Sequence, residues 1–168
     1  MLPNAIELFA GCGGMSTGLL DAGVHVRLGT DYYAPAMRTF NYNHSYRNVR
    51  SLTADIRRLS GADLLAHANI SHSNLQLLAG GPPCQPFSII GKRQGLEDPR
   101  GDLVLEFVRL LRELEPETFI FENVANLVSV SNGEVLNTLL QLMSDAGYAT
   151  SHAVLSVEIG RASCRERV

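Results

Sequence analysis

Short apolar runs alternate along this chain with segments of helix length whose apolar positions recur every three or four residues. AIELFAG (Ala5–Gly11) reads as a buried strand, followed by a glycine-rich turn and a helix near Met15–Ala22. HVRLGTD (His25–Asp31) predicts a second strand and APAMRTFNYNH (Ala34–His44) a second helix. SLTAD (Ser51–Asp55) and LQLLAGG (Leu75–Gly81) predict the third and fourth strands. Asp102 caps a helix carrying Leu103, Phe107, Leu110, Leu111 and Leu114 on one face, stopped by Pro116. TFIFENV (Thr118–Val124) is the fifth strand, Glu134–Ala146 an amphipathic helix closed by Gly147, and YATSHAVLSV (Tyr148–Val157) a further strand. Strands that are apolar throughout and alternate with helices predict an α/β fold, a doubly wound and mostly parallel sheet with helices on both faces. Ligands of such sheets collect beyond the carboxyl ends of the strands. Gly11, Asp31, Asp55, Cys84 and Glu122 all stand at or just past such ends, so they should converge on one edge.

Composition narrows the class. The 168 residues are 45% apolar and 18% charged, enough for one globular domain with a real core. No apolar run approaches membrane-spanning length and MLPNAIELF lacks the marks of a signal peptide, so the expected location is the cytoplasm. Three cysteines, Cys12, Cys84 and Cys164, in no paired pattern argue against a disulfide framework and against a metal site. The net charge of −3 leaves any grip on nucleic acid to local groups or to residues outside this chain.

Three blocks carry chemistry. In ELFAGCGGMSTG (Glu7–Gly18) the glycines let the backbone turn sharply and approach a ligand beside a helix N-terminus. Asp31 follows about 20 residues on, where a carboxylate accepts from ribose hydroxyls. This pairing suits dinucleotides and other adenosyl ligands alike, and a tight strand–helix turn would explain the glycines by itself. Their spacing does not fit GxGxxG, which counts against a dehydrogenase. GGPPCQPFS (Gly80–Ser88) holds Cys84 between prolines that restrict the backbone on both sides, a frame suited to a nucleophile that must meet one atom. A buried structural thiol is the competing explanation. In FENV (Phe121–Val124), Glu122 directly follows an apolar strand, so one-sided desolvation should raise its pKa towards that of a proton donor. A salt bridge or a capped turn would account for it equally well. Asn123 could hold Glu122 or nearby backbone in place.

ELFAGCGGMSTGL, GGPPCQPFSIIGKRQGLEDPRGDL and FENV, in this order and spacing, resemble the blocks of the cytosine-C5 DNA methyltransferases, from about Ala5 to Val157. The resemblance implies a Rossmann-like fold and S-adenosylmethionine as methyl donor. It assigns Phe9, Gly11, Cys12, Gly13 and Gly14 to the cofactor pocket, Phe9 against the adenine. Asp31 would hold the ribose hydroxyls and Tyr32 pack on the base. Asp55 would accept from the adenine amino group, with Ile56 and Leu103 adding apolar contact. Cys84 would be the nucleophile and Glu122 the residue that binds and protonates the cytosine ring. Pro83, Gln85, Ser88 and Asn123 would line the substrate side, and Lys92, Arg93 and Arg100 would sit on a loop that closes over DNA. The implied partner is double-stranded DNA with its cytosine flipped out, because C6 is inaccessible within a duplex. A bacterial enzyme is implied, monomeric, acting alone or with a cognate restriction endonuclease.

The end of the chain departs from that pattern. GRASCRERV mimics a family block ending in RRERV, yet Ala162 and Ser163 stand where proline and glutamine belong. Ile159–Val168 also matches, residue for residue, the translation of a common sequencing-library adapter followed by a stop. The expectation is a catalytic domain over 1–157, incomplete, with a non-native tail at 158–168 and no target-recognition region; Arg165 and Arg167 receive no role. Beside the DNA enzyme stand two other readings: a fragment that binds the methyl donor without turnover, and an RNA-directed member of the family.

Overall fold

The computed structural model describes residues 2–83 and 102–155. Cys84, Gln85, Ser88, Lys92, Arg93, Arg100 and the tail from 158 lie outside the described residues. Those that are described divide into two compact units between Asn123 and Val124.

The first unit holds β1 (Asn4–Leu8), α1 (Gly14–Asp21), β2 (His25–Asp31), α2 (Ala34–His44), β3 (Arg50–Thr53), α3 (Gly61–Ala68), β4 (Leu77–Gly80), α4 (Asp102–Leu114) and β5 (Thr118–Phe121). The five strands run parallel in the order β3-β2-β1-β4-β5. The order reverses between β1 and β4, the place where a doubly wound sheet opens a crevice at its strand ends. Alternation along the strands sorts the core into two layers. Ala5, Val26, Leu77 and Ala79 pack with Leu19 of α1 and with Met37 and Phe40 of α2. On the other face Leu78 and Gly80 register with Phe119 and Phe121, and Phe107 of α4 packs edge-on against both rings, 6.2 and 5.2 Å away. Leu110, Leu111 and Leu114 of α4 and Leu64 of α3 are fully buried. Burying each such side chain contributes roughly 1.5–3 kcal/mol.

The second unit contains two short 3-10 turns, Ala125–Val128 and Val130–Gly133, and α5 (Glu134–Asp145). Val135, Leu139 and Met143, four residues apart, form the buried face of α5.

Two differences from expectation have plain causes. Helix α3 was not anticipated, although Ser60 and Asp63 form a reciprocal capping box at its start. Conversely, the strand expected over Tyr148–Val157 is not formed in residues 148–155. A strand needs a ladder partner, and here Val154 and Leu155 are 61% and 88% exposed, with no apolar face to bury.

Candidate functional site: the carboxyl edge of the sheet

The chain leaves β1 through a strained turn. Phe9 has φ +57°, a left-handed conformation that costs a bulky residue about 1–2 kcal/mol. Bonds on either side hold it: Ala10 N–H donates to the Thr30 carbonyl at 3.0 Å and Gly13 N–H to the Ala10 carbonyl at 2.8 Å. Gly13 has φ +91°, and a Cβ there would lie 2.2 Å from Cε1 of His44. Only glycine lets the loop press onto that buried imidazole, which α2 anchors through the Phe40 carbonyl (2.9 Å) and which meets the Thr17 hydroxyl of α1 at 3.1 Å. Cys12 and Gly14 are exposed, with the Cys12 carbonyl accepting from Asn43 Nδ2 at 3.4 Å.

Asp31, the last residue of β2, ties this loop to its own. Oδ2 accepts from Gly11 N–H at 3.0 Å and Oδ1 from Tyr33 N–H at 2.9 Å. Each oxygen keeps a further lone pair on the open side. A half-buried carboxylate fixed by two amides, beside a loop with no side chains at three glycines, fits a ligand that offers two vicinal hydroxyls, as a ribose does. Tyr32 next to it is 72% exposed. The Asp31 carbonyl accepts from Ala54 N–H at 3.0 Å, which brings the end of β3 alongside. There Asp55 caps the turn Ile56–Arg58 through Arg57 N–H (3.1 Å) and pairs with the Arg57 guanidinium at 2.6 Å. That guanidinium holds the Asp55 carboxyl below the usual carboxylate range. Ile56 is buried and Leu103, in the first turn of α4, half-buried.

The ends of β4 and β5 form the second half of the edge. Gly80 and Phe121 are in register, so Gly81 and Glu122 emerge side by side. A Cβ on Gly81 would lie 2.7 Å from Oε2 of Glu122. Nδ2 of Asn123 donates to the Pro82 carbonyl at 3.0 Å and so grips the proline frame that leads through Pro83 to residue 84. The expected one-sided desolvation of Glu122 is not found: it directly follows β5, as expected, but its side chain is exposed.

The buried carboxyl is instead Glu7, in the middle of this sheet and 2% exposed. Burial pushes it up to about 7, against the opposing hydrogen bonds from Ser16 and with a small upward push from Asp31. Ser16 Oγ donates to Glu7 Oε2 from the first turn of α1. Sequence reasoning quoted Glu7 without giving it a role; an acidic residue inside an apolar strand was the available signal. His44 and Arg109 also escaped it.

Gly11, Asp31, Asp55 and Glu122 therefore stand at or just past strand ends on the carboxyl edge. Hydrogen bonds join the glycine loop to Asp31 and Asp31 to the end of β3, and a separate bond joins Asn123 to Pro82. Among the described residues no helix is long and apolar enough to cross a membrane.

The family model for C-5 cytosine-specific DNA methylase matches residues 4–168. The type II methyltransferase M.AquIA of a Picosynechococcus strain is 37% identical over 177 residues, covering 100% of this chain and 71% of the relative. M.FnuDI of Fusobacterium nucleatum (32%) and M.DdeI of Desulfomicrobium norvegicum (36%) are matched over 97% and 98% of this chain. The chain spans only 44% and 39% of those two relatives. Among solved structures, a DNA modification methyltransferase encoded in an Escherichia coli prophage superposes with a TM-score of 0.68 at 29% identity, covering 85% of this chain and 38% of its own. The Dnmt2 methyltransferase of S. pombe shares the fold, with a TM-score of 0.58 at 24% identity over 84% of this chain and 40% of its own. The chain belongs to the C-5 cytosine-specific DNA methylase family.

Proposed function

We propose that this protein transfers a methyl group from S-adenosylmethionine to C5 of a cytosine flipped out of duplex DNA, through a covalent bond between Cys84 and C6. The observation that carries the reading is the pairing of two strand ends. Glu122 lies against Gly81 and Asn123 grips Pro82, so the glutamate and the proline-framed block leave the same crevice edge. The glycine loop and Asp31 stand on the adjoining strands.

Phe9, Gly11, Cys12, Gly13 and Gly14 would hold the methionyl and adenine portions, Asp31 the ribose, and Asp55, Ile56, Tyr32 and Leu103 the base. When bound, S-adenosylmethionine supplies an electrophilic methyl group to cytosine C5. The remaining steps belong to the chain. Ring C5 is a poor nucleophile while the pyrimidine is aromatic. Attack of the Cys84 thiolate on C6 forms a C–S bond as Glu122 donates its proton to N3, leaving C5 enamine-like and Glu122 anionic. After methylation a base removes the C5 proton, the C6–S bond breaks, and the thiolate departs as N3 returns its proton. Thiolate attack must come perpendicular to the ring, so a stiff backbone around Cys84 lowers the barrier through positioning. Glu122, exposed without substrate, would lose its solvent only when a base fills the crevice, the moment at which its proton is needed. Pro83, Gln85, Ser88, Lys92, Arg93, Arg100 and Asn123 are assigned to the DNA side. A cognate restriction endonuclease, a monomeric state and a cytoplasmic location belong to the same proposal.

A duplex carrying 5-fluorocytosine tests it, since fluorine at C5 cannot leave as a proton does. With the methyl donor present, a denaturant-resistant adduct should form at Cys84 and be absent in Cys84→Ser. Methylation of the ordinary duplex without any trapped adduct on the fluorinated one would overturn the covalent route.

A further inference from the structure

Arg109 lies in the middle of α4, and its guanidinium leaves its own helix. Nη2 donates to the carbonyls of Ile56 and Leu59, both at 3.0 Å. Two carboxylates of α4 aim it: Nε meets Oε2 of Glu106 at 2.8 Å and Nη1 meets Oε1 of Glu113 at 2.6 Å. The other oxygen of Glu113 accepts from Gly61 N–H at 2.6 Å, at the first residue of α3. Gly61 itself packs so tightly that a Cβ there would lie 3.0 Å from Cβ of Glu113. Helix α4 thus grips the segment after β3 at three backbone atoms, from Ile56 at the start of its turn through Leu59 to Gly61 beyond it.

That grip exceeds what α4 needs for itself. Pairs spaced three and four residues apart on an exposed helix contribute a few tenths of a kcal/mol, and they require no bond to another element. Inward-facing carbonyls, by contrast, must find donors, and a guanidinium is the one side chain that can serve two of them while held by two carboxylates. Asp55 also pairs locally with Arg57, their side chains 27% and 40% exposed. That pair joins residues two apart in sequence, and the bond from Ala54 N–H to the Asp31 carbonyl ties only the start of the turn to the sheet.

We propose that Arg109 is a positioning residue for recognition of the cofactor's adenine ring. By holding the Ile56 and Leu59 carbonyls it sets where the Asp55 carboxylate and the Ile56 side chain stand. The inference rests on the assignment of Asp55 to the adenine amino group.

The test compares binding of S-adenosylhomocysteine with that of S-inosylhomocysteine, its deaminated analogue, to the 168-residue chain by calorimetry. The analogue presents a carbonyl where the amino group was, so the wild type should favour the adenosyl ligand. Arg109→Met should shrink that preference by about tenfold, the equivalent of one well-placed hydrogen bond. Arg109→Lys keeps the charge beside Glu106 and Glu113 but not the two-carbonyl reach, and should shrink it by a smaller factor. If the methionine variant does not fold, the lysine variant decides. An unchanged preference in every folded Arg109 variant, with Asp55→Ala abolishing it, overturns the role of Arg109 alone. An unchanged preference in Asp55→Ala overturns the adenine assignment and the inference with it.

Discussion

Replacing Glu7 by glutamine should make this protein more stable at alkaline pH. Glu7 is the penultimate residue of β1, in register with Gly29 and Ala79, and faces α1. Two effects compete there. Its hydrogen bonds from Ser16 and the positive end of α1 favour the anion, a helix-terminus effect worth about 0.3–1 kcal/mol at exposed sites. Burial disfavours the anion more strongly, and the balance raises the carboxyl from 4.5 to about 7. The folded chain therefore keeps a proton that the unfolded chain releases. The stabilisation is fully present below the unfolded pKa and is lost progressively as pH rises through 4.5 to about 7. The accumulated loss is about 3 kcal/mol, complete above roughly pH 8, a sizeable share of the total stability of a small domain. Glutamine has the shape of the neutral acid and still accepts from Ser16, so Glu7→Gln escapes this loss. Urea unfolding followed by circular dichroism at half-unit pH steps should give coincident midpoints for the two proteins near pH 4. By pH 8 they should diverge, with the variant higher and the slopes unchanged. A variant less stable at pH 8, or an offset constant from pH 4 to 8, would refute the reasoning, because the anion would then be the form that α1 and Ser16 hold.

Gly13→Ala should lose about 2–5 kcal/mol, combining a left-handed backbone with overlap onto His44, whereas Gly11→Ala, with φ +53° and open space around its Cβ, should lose only the backbone part, about 1–2 kcal/mol. Equal losses in urea midpoints would show that the His44 contact does not constrain the loop. Asp31→Asn leaves one acceptor for the amides of Gly11 and Tyr33 and should weaken S-adenosylhomocysteine binding by tenfold or more in calorimetry; unchanged affinity would remove Asp31 from the ribose site.

The succession of five strands along the chain and the edge at which their exits gather were legible because buried parallel strands are written as apolar runs, each broken by a glycine or an acid at its exit. Helix α2 was bounded correctly because Pro35 fits only a first turn, and α4 because Pro116 forbids continuation. Helix α3 carried no glycine-rich turn before it as α1 does, and only its capping box announced it. YATSHAVLSV has strand composition, but composition does not supply a neighbouring ladder.

The exchange between Glu122 and Glu7 shows how one residue's distance from a strand end decides its chemistry. Both are carboxylates attached to apolar strands, and one argument, desolvation by a sheet, applies to either. Glu122 was expected to be shielded on one side as the residue directly after the fifth strand; the strand does stop at Phe121, but the side chain emerges into water. Glu7 lies before the last residue of its strand and so receives the full effect. Desolvation falls away over one or two residues at a strand end, a distance comparable to the uncertainty of any boundary read from sequence. A residue at such an end can therefore be solvated while the crevice is open and desolvated when a ligand covers it, a change that a proton donor acting only on bound substrate requires. Arg109 lay beyond reach for another reason. Its key partners are backbone carbonyls some 50 residues away, and a carbonyl carries no mark of the side chain it belongs to.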